Sequence, residues 1–380
     1  MKVGIVCYPS VGGSGFVASN LGIELACHYD IEVHFIVYDV PFLLQEGREL
    51  RPCNLFIHHV DIIDYPLFRR IHPPFTMLEA TKIFHVAEKH KLDIIHTHYV
   101  IPHALAACVA QELCNHRIKT VTTAHGSDVH TVGVDPAYKP AVKFVLLRSN
   151  KLTAVSRWLK INMERDFELK NDTEVIYNFI DTNRFRNINR DDLRLHDGFD
   201  HVLIHASNFR PIKRTPFLIK AFAKVVETHP HTRLEMVGDG PERYTAERLV
   251  HTLGLDKNVV FEGIRRDMPG LFSGSDLLVA PSELESFNLT LAESMSCETP
   301  VVSSHVGGIP EVVLDGKTGI LLPVEDDPEP LANTIIQLLE DAPRRNQMGK
   351  TGRQHVQKHF SPDSVVPLYV STYYKLLEQP

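Results

Sequence analysis

Seven residues separate Glu285 from Glu293 in Pro281-Ser-Glu-Leu-Glu-Ser-Phe-Asn-Leu-Thr-Leu-Ala-Glu. The first follows an apolar run ending at Ala280 that reads as a buried strand. The second falls inside the helix expected next. A carboxylate at the end of a parallel strand and another on the following helix can both accept hydrogen bonds from hydroxyls of one ligand. A nucleotide sugar carries such hydroxyls at both ends, on its ribose and on its hexose. From spacing alone, an exposed acidic loop followed by a helix-surface glutamate is the competing reading.

Other loops that follow strands carry matching chemistry. Ser10-Val-Gly-Gly-Ser-Gly-Phe opens the first helix, so Gly13 and Ser14 stand where a helix N-terminus offers amide groups to an anion. It lacks the Gly-x-Gly-x-x-Gly fingerprint, which argues against a dehydrogenase despite Asp39 after the second strand. Thr122-Thr-Ala-His-Gly-Ser-Asp places His125 at a strand end, flanked by Thr123 and Asp128. Ser207-Asn-Phe-Arg-Pro-Ile-Lys-Arg gathers Arg210, Lys213 and Arg214, cations suited to a departing diphosphate. His96, His98, His103, His125 and His130 permit a metal reading, but carboxylate ligands are not evident at matching strand ends. Polar residues lining a cleft are the preferred alternative.

These loops need strands that end at one edge. Apolar runs predict strands over Val3–Cys7, Glu32–Val37, Ile94–His98, Thr120–Thr123, Leu152–Val155 and Glu174–Tyr177. A second set covers Val202–Ala206, Arg233–Val237, Val259–Glu262, Leu277–Ala280, Val301–Ser303 and Ile320–Leu322. Helical patterns alternate with them, the last over Pro362–Leu377. Continuous Val/Ile/Leu runs alternating with helices imply doubly wound α/β units. A chain of 380 residues suggests two of them. The polar stretch Asn183–Asp200 reads as the linker.

The net charge of -7 argues against nucleic-acid partners and gives no signal for anionic lipid. No apolar run approaches a membrane span, and the first strand is too short for a signal peptide. Six scattered cysteines without Cys-x-x-Cys suggest buried free thiols and a cytoplasmic setting. Oligomeric state is open, with a homo-oligomer possible.

The glycine loop, His125-Gly, the basic loop, the paired glutamates and Gly307-Gly-Ile-Pro-Glu, in this order, resemble the retaining family-4 glycosyltransferases of GT-B fold. The resemblance spans essentially the whole chain. Cys7-Tyr-Pro-Ser-Val-Gly-Gly-Ser-Gly, His98-Tyr-Val-Ile-Pro-His and Tyr177-Asn-Phe-Ile-Asp are similar to the N-acetylglucosaminyl L-malate synthases of bacillithiol biosynthesis. This implies two Rossmann-like domains facing a cleft, 1–184 with 361–380 and 185–360. It also implies transfer of N-acetylglucosamine from UDP-N-acetylglucosamine to L-malate, without a metal cofactor.

By the same resemblance, Glu293 holds the ribose, and Glu285 with Ser286, Phe287, Asn288, Leu289 and Thr290 holds the sugar and phosphates. Arg210 and Lys213 meet the leaving UDP, His125 sits beside the anomeric carbon, and Gly13, Ser14 and Asn208 complete the donor contacts. Ser14, Tyr99, Thr123 and Lys143 would take the acceptor. Asn288 stands where the family usually has glycine, Asn208 where many members have arginine, and Lys143 where close relatives have arginine. Another sugar or lipid acceptor, or an epimerase of the same fold, are the rival activities.

Overall fold

The computed structural model describes residues 1–9, 13–45, 52–61, 75–170, 173–188 and 198–378. The chain forms two compact units, Met1–Phe179 with Pro362–Pro380, and Ile180–Ser361. Part of the expected linker, 189–197, lies outside the described residues.

In the first unit, strands β1 (Lys2–Val6), β2 (Glu32–Val37), β3 (Leu55–His59), β4 (Ile94–His98), β5 (Lys119–Ala124), β6 (Lys151–Ala154) and β7 (Thr173–Val175) form one sheet. Its order is β3-β2-β1-β4-β5-β6-β7, and every pairing is parallel. The helices are α1 (Gly13–His28), α2 (Phe75–His90), α3 (Leu105–Leu113), α4 (Ser127–His130), α5 (Lys139–Arg148) and α6 (Arg157–Phe167).

The two faces of this sheet have separate cores, as alternation along each strand requires. Val33, Phe35 and Val37 face α1, whereas Ile36 and Val6 join Ile83 and Val86 of α2. The C-terminal helix of the chain (Pro362–Leu377) packs on the α1 side, burying Val365, Val366, Tyr369 and Tyr373 beside Leu21 and Leu25. Its bounds match those read from its apolar spacing.

In the second unit, β8 (His201–Ala206), β9 (Thr232–Val237), β10 (Val259–Gly263), β11 (Leu277–Ala280), β12 (Val301–Ser304) and β13 (Gly319–Leu322) form a parallel sheet ordered β10-β9-β8-β11-β12-β13. Helices α7 (Thr215–Thr228), α8 (Arg243–Thr252), α9 (Met268–Gly274), α10 (Leu289–Ser296), α11 (Ile309–Val312), α12 (Glu329–Glu340) and α13 (Ala342–His359) cover it, and the C-terminal helix is then α14. Side chains of β8, β9, β11 and β12 are buried almost throughout, which explains the apolar Leu-Leu-Val-Ala of β11 and the apolar runs Val202–Ile204 and Val301–Val302.

Strand order reverses between β1 and β4 in the first unit and between β8 and β11 in the second. Such switch points leave a crevice at the carboxyl ends of the strands, where α/β proteins bind ligands. The loops singled out from sequence follow β1, β4, β5, β8 and β11, and so cluster at these crevices.

The cysteine expectation needs a correction. All six are free, but Cys27 and Cys53 are exposed; only Cys7, Cys108, Cys114 and Cys297 are buried. The edge strand β3 was not read from sequence, because His58 and His59 interrupt its apolar run.

Candidate active site

The first unit's site is organised by Asp128. Its carboxylate accepts from the backbone amides of Gly126 at 2.7 Å, Val100 at 3.0 Å and His125 at 3.1 Å. One side chain therefore ties the turn after β4 to the turn after β5. Burial pushes its acid up to about 6, while the amide bonds oppose that shift. Both turns need unusual backbone: Gly126 has φ 137° and Tyr99 has φ 104°. Glycine carries that geometry without a Cβ penalty; Tyr99 is held in it by its own amide bonding to Thr123 O and its hydroxyl meeting Ser127 Oγ at 2.6 Å.

His125 leans on His98, with Nε2 3.0 Å from His98 Nδ1. Burial pushes His125 down to about 3 and holds His98 well below the ordinary range, so both rings are neutral at pH 7. His125 thus offers a fixed, uncharged imidazole that can hydrogen-bond a sugar but adds no positive charge beside a phosphate. His98 Nε2 is buried without a partner.

The structure separates the remaining first-unit candidates. Thr123 is fully buried, and its hydroxyl meets His96 Nε2 at 2.7 Å and Thr153 Oγ1 at 2.6 Å. Its position is that of a support for the histidine row, not of an open acceptor ligand. His96 is anchored from the other side by Tyr373 of α14, at 2.6 Å. Lys143 on α5 pairs with the exposed Glu168. Gly13 and Ser14 form the first turn of α1, while Ser10, Val11 and Gly12 lie outside the described residues. The histidines considered for a metal do not converge on one point: His103 is buried against Glu79 at 2.8 Å, and His130 packs against Trp158.

In the second unit, Glu285 is the hub. Its Oε1 accepts from Lys213 Nζ, from Ser282 Oγ at 2.9 Å and from Asn288 Nδ2 at 3.1 Å. Lys213 therefore comes from the β8 loop to the β11 loop across the switch point. The Glu285 backbone carbonyl accepts from Gly308 N at 2.8 Å. Gly307, at φ +57°, passes so close that a Cβ there would stand 2.0 Å from that carbonyl oxygen. Only glycine fits there, which accounts physically for Gly307.

Asn288 adopts the left-handed conformation, φ 69°, immediately before α10. Asparagine tolerates it better than most residues. Ser286 and Phe287 are buried, and the half-buried Leu289 and Thr290 form the first turn of α10, whose amide dipoles point beyond the strand ends. Glu293 lies one turn further on, four residues from Leu289, and so shares that face of the helix. Burial pushes its carboxyl up to about 7, with Arg184 opposing the shift.

The basic loop divides by role. Arg214 is committed to the fold: it stacks over Phe217 at 3.9 Å and donates to Glu325 O at 2.6 Å. Arg210, three residues before Lys213, is exposed, and among the described residues its Nε lies 3.3 Å from Asn208 Oδ1. His205 bridges Val279 O and Ser207 Oγ at 2.8 and 2.9 Å, fixing where the loop departs from β8. Sequence reasoning missed Ser282 and His205 as supports and read His98 only as a metal or cleft candidate. His98 and His205 act through His125 and Val279, partners distant in the chain, whereas Ser282 lies three residues from Glu285.

Residues 11–184 match a family model described as Glycosyltransferase Family 4, and residues 189–355 match one described as Glycosyl transferases group 1. An N-acetyl-alpha-D-glucosaminyl L-malate synthase from Bacillus anthracis is 40% identical over 99% of this chain and 97% of its own. The chain belongs to glycosyltransferase family 4. Solved relatives agree on the GT-B fold: a sucrose-phosphate synthase from Thermosynechococcus elongatus superposes with TM-score 0.83 at 21% identity, covering 100% of both chains. HepE from Anabaena, solved with UDP and glucose, gives 0.81 at 21% identity over 98% of this chain and 99% of that one. This glycosyltransferase has, among its described residues, no helix long and apolar enough to cross a membrane.

Proposed function

We propose that the enzyme transfers N-acetylglucosamine from UDP-N-acetylglucosamine to the hydroxyl of L-malate with retention, the entry step to bacillithiol, in the cytoplasm. The near full-length identity with the Bacillus anthracis synthase carries the choice of donor and acceptor. The chemistry of the second unit supports a nucleotide sugar. Glu293, once ionised, is suited to accept both ribose hydroxyls. Glu285, Ser286, Phe287, Asn288, Leu289 and Thr290 meet the sugar and diphosphate through side chain and backbone.

In this reading the C1–O bond to the β-phosphate breaks as the malate oxygen bonds to C1 from the same face. The malate proton passes to the departing β-phosphate oxygen, so no protein carboxylate is required as nucleophile. Lys213 and Arg210 take up the charge that develops on UDP, the role a divalent ion plays elsewhere, and the transfer is metal-independent. Neutral His125 hydrogen-bonds the sugar. Tyr99, Ser14 and Lys143 receive the acceptor, with Lys143 exchanging Glu168 for a malate carboxylate. Thr123 acts behind them.

UDP release from UDP-N-acetylglucosamine with a panel of hydroxy acids tests this. Strong stimulation by L-malate, unchanged by chelator, is expected. Stimulation by another acceptor alone would discard malate, and turnover of donor without acceptor would discard transfer.

A further inference from the structure

Away from the active site, three histidines converge at the β3 edge of the first unit's sheet. His34 lies on β2, His58 on the neighbouring edge strand β3, and His90 closes α2. Register pairs His34 with Phe56 and Ile36 with His58, so both rings leave the sheet on the face that carries Ile36 and packs on α2. His90 stands four and seven residues after Val86 and Ile83, both in that core, and so arrives on the same side of its helix.

The ring centroids lie 5.1 Å apart for His34 and His58, 4.5 Å for His34 and His90, and 5.1 Å for His58 and His90. One ring nitrogen from each falls within 4.8 Å of the others. His34 Nδ1 and His58 Nε2 are 2.8 Å apart. Among the described residues this is the one such cluster.

A further observation points to a ligand. Behind His34, Nε2 meets Glu32 Oε1 at 2.9 Å, and Glu32 is itself held by Lys2 at 2.9 Å. A carboxylate behind an imidazole fixes its tautomer, and here it turns the Nδ1 lone pair of His34 into the trio.

We propose that His34, His58 and His90 form a binding site for a borderline divalent transition-metal ion such as Zn²⁺, separate from the transfer site. His34 ligates through Nδ1 and His58 through Nε2. Three imidazoles suit Zn²⁺, Ni²⁺ or Cu²⁺ and disfavour Mg²⁺ and Ca²⁺, which require oxygen ligands. His58 and His90 are half-buried on the edge-strand side, which gives the ion a path in and leaves a fourth position for water. The bound ion would tie the edge strand to β2 and to the end of α2.

Calorimetric titration of chelator-treated full-length protein with ZnCl₂, and separately with MgCl₂, tests the site. One equivalent of Zn²⁺ and no Mg²⁺ is expected at the trio. His90→Ala and His58→Asn should each weaken that equivalent by at least about tenfold, and Glu32→Gln should weaken it by roughly tenfold. His85→Ala, exposed on the same helix, should leave it unchanged. Co²⁺ should give a visible absorption spectrum of nitrogen coordination that His90→Ala removes. Circular dichroism checks that each variant folds. Absence of Zn²⁺ binding by the wild type, or the same equivalent in both His90→Ala and His58→Asn, would overturn the proposal.

Discussion

Glu293→Gln should make the ligand-free enzyme more stable above neutral pH while weakening the donor. The Glu293 carboxyl is raised from 4.5 to about 7 by burial. An acid raised on folding binds more protons in the folded state between those values. Stability is therefore fully present below about pH 4.5 and declines as pH rises through about 7. At about 1.4 kcal/mol per pH unit the ceiling is roughly 3 kcal/mol. Glu293 retains some solvent contact, so ~1–2 kcal/mol is the expected penalty at pH 8. Glutamine cannot ionise and escapes it. Thermal unfolding of both proteins at pH 5 and pH 8 measures this: the variant's advantage should appear at pH 8 and shrink toward pH 5. Ribose hydroxyls donating to the carboxylate draw on its charge, so wild-type affinity for UDP should rise with pH through about 7. Glu293→Gln should lose about 1.5–3 kcal/mol of it, roughly ten- to a hundredfold in Kd. An equal Tm difference at both pH values, or unchanged UDP affinity, would refute the reasoning.

Lys213→Met removes the cation from Glu285 and from the leaving group; kcat for UDP release should fall by about 10²–10³, with a smaller change in donor KM, and a loss under threefold would remove Lys213 from the chemistry. Lys143→Ala should raise the acceptor KM far more than the donor KM in initial-rate kinetics; an effect confined to the donor would move the acceptor pocket elsewhere. Gly307→Ala forces a Cβ to 2.0 Å from the Glu285 carbonyl at positive φ, so denaturant unfolding should show a loss of roughly 2–4 kcal/mol, accompanied by reduced turnover as Glu285 shifts.

The alternation of apolar runs with amphipathic helices was legible because strands buried on both faces are mostly apolar, and β2, β4 and β11 keep the bounds their sequences suggest. The strand-end loops were legible for a related reason: glycines, cations and carboxylates gathered at the end of an apolar run interrupt its pattern abruptly. What each residue does is a tertiary matter. Nothing in the local sequence says that Asp128 serves amides of two turns, that Arg214 is consumed by Phe217 while Arg210 is exposed, or that the Thr123 hydroxyl is spent on His96 and Thr153. The β3 strand and its histidines were missed because polar residues on an edge strand erase the apolar signal. Their meaning arises only when β2, β3 and α2 bring His34, His58 and His90 together. Sequence fixes which groups exist and which element each rides on, since propensity and periodicity are local. Burial, charge state and partnership depend on contacts between residues far apart in the chain, and folding alone decides them.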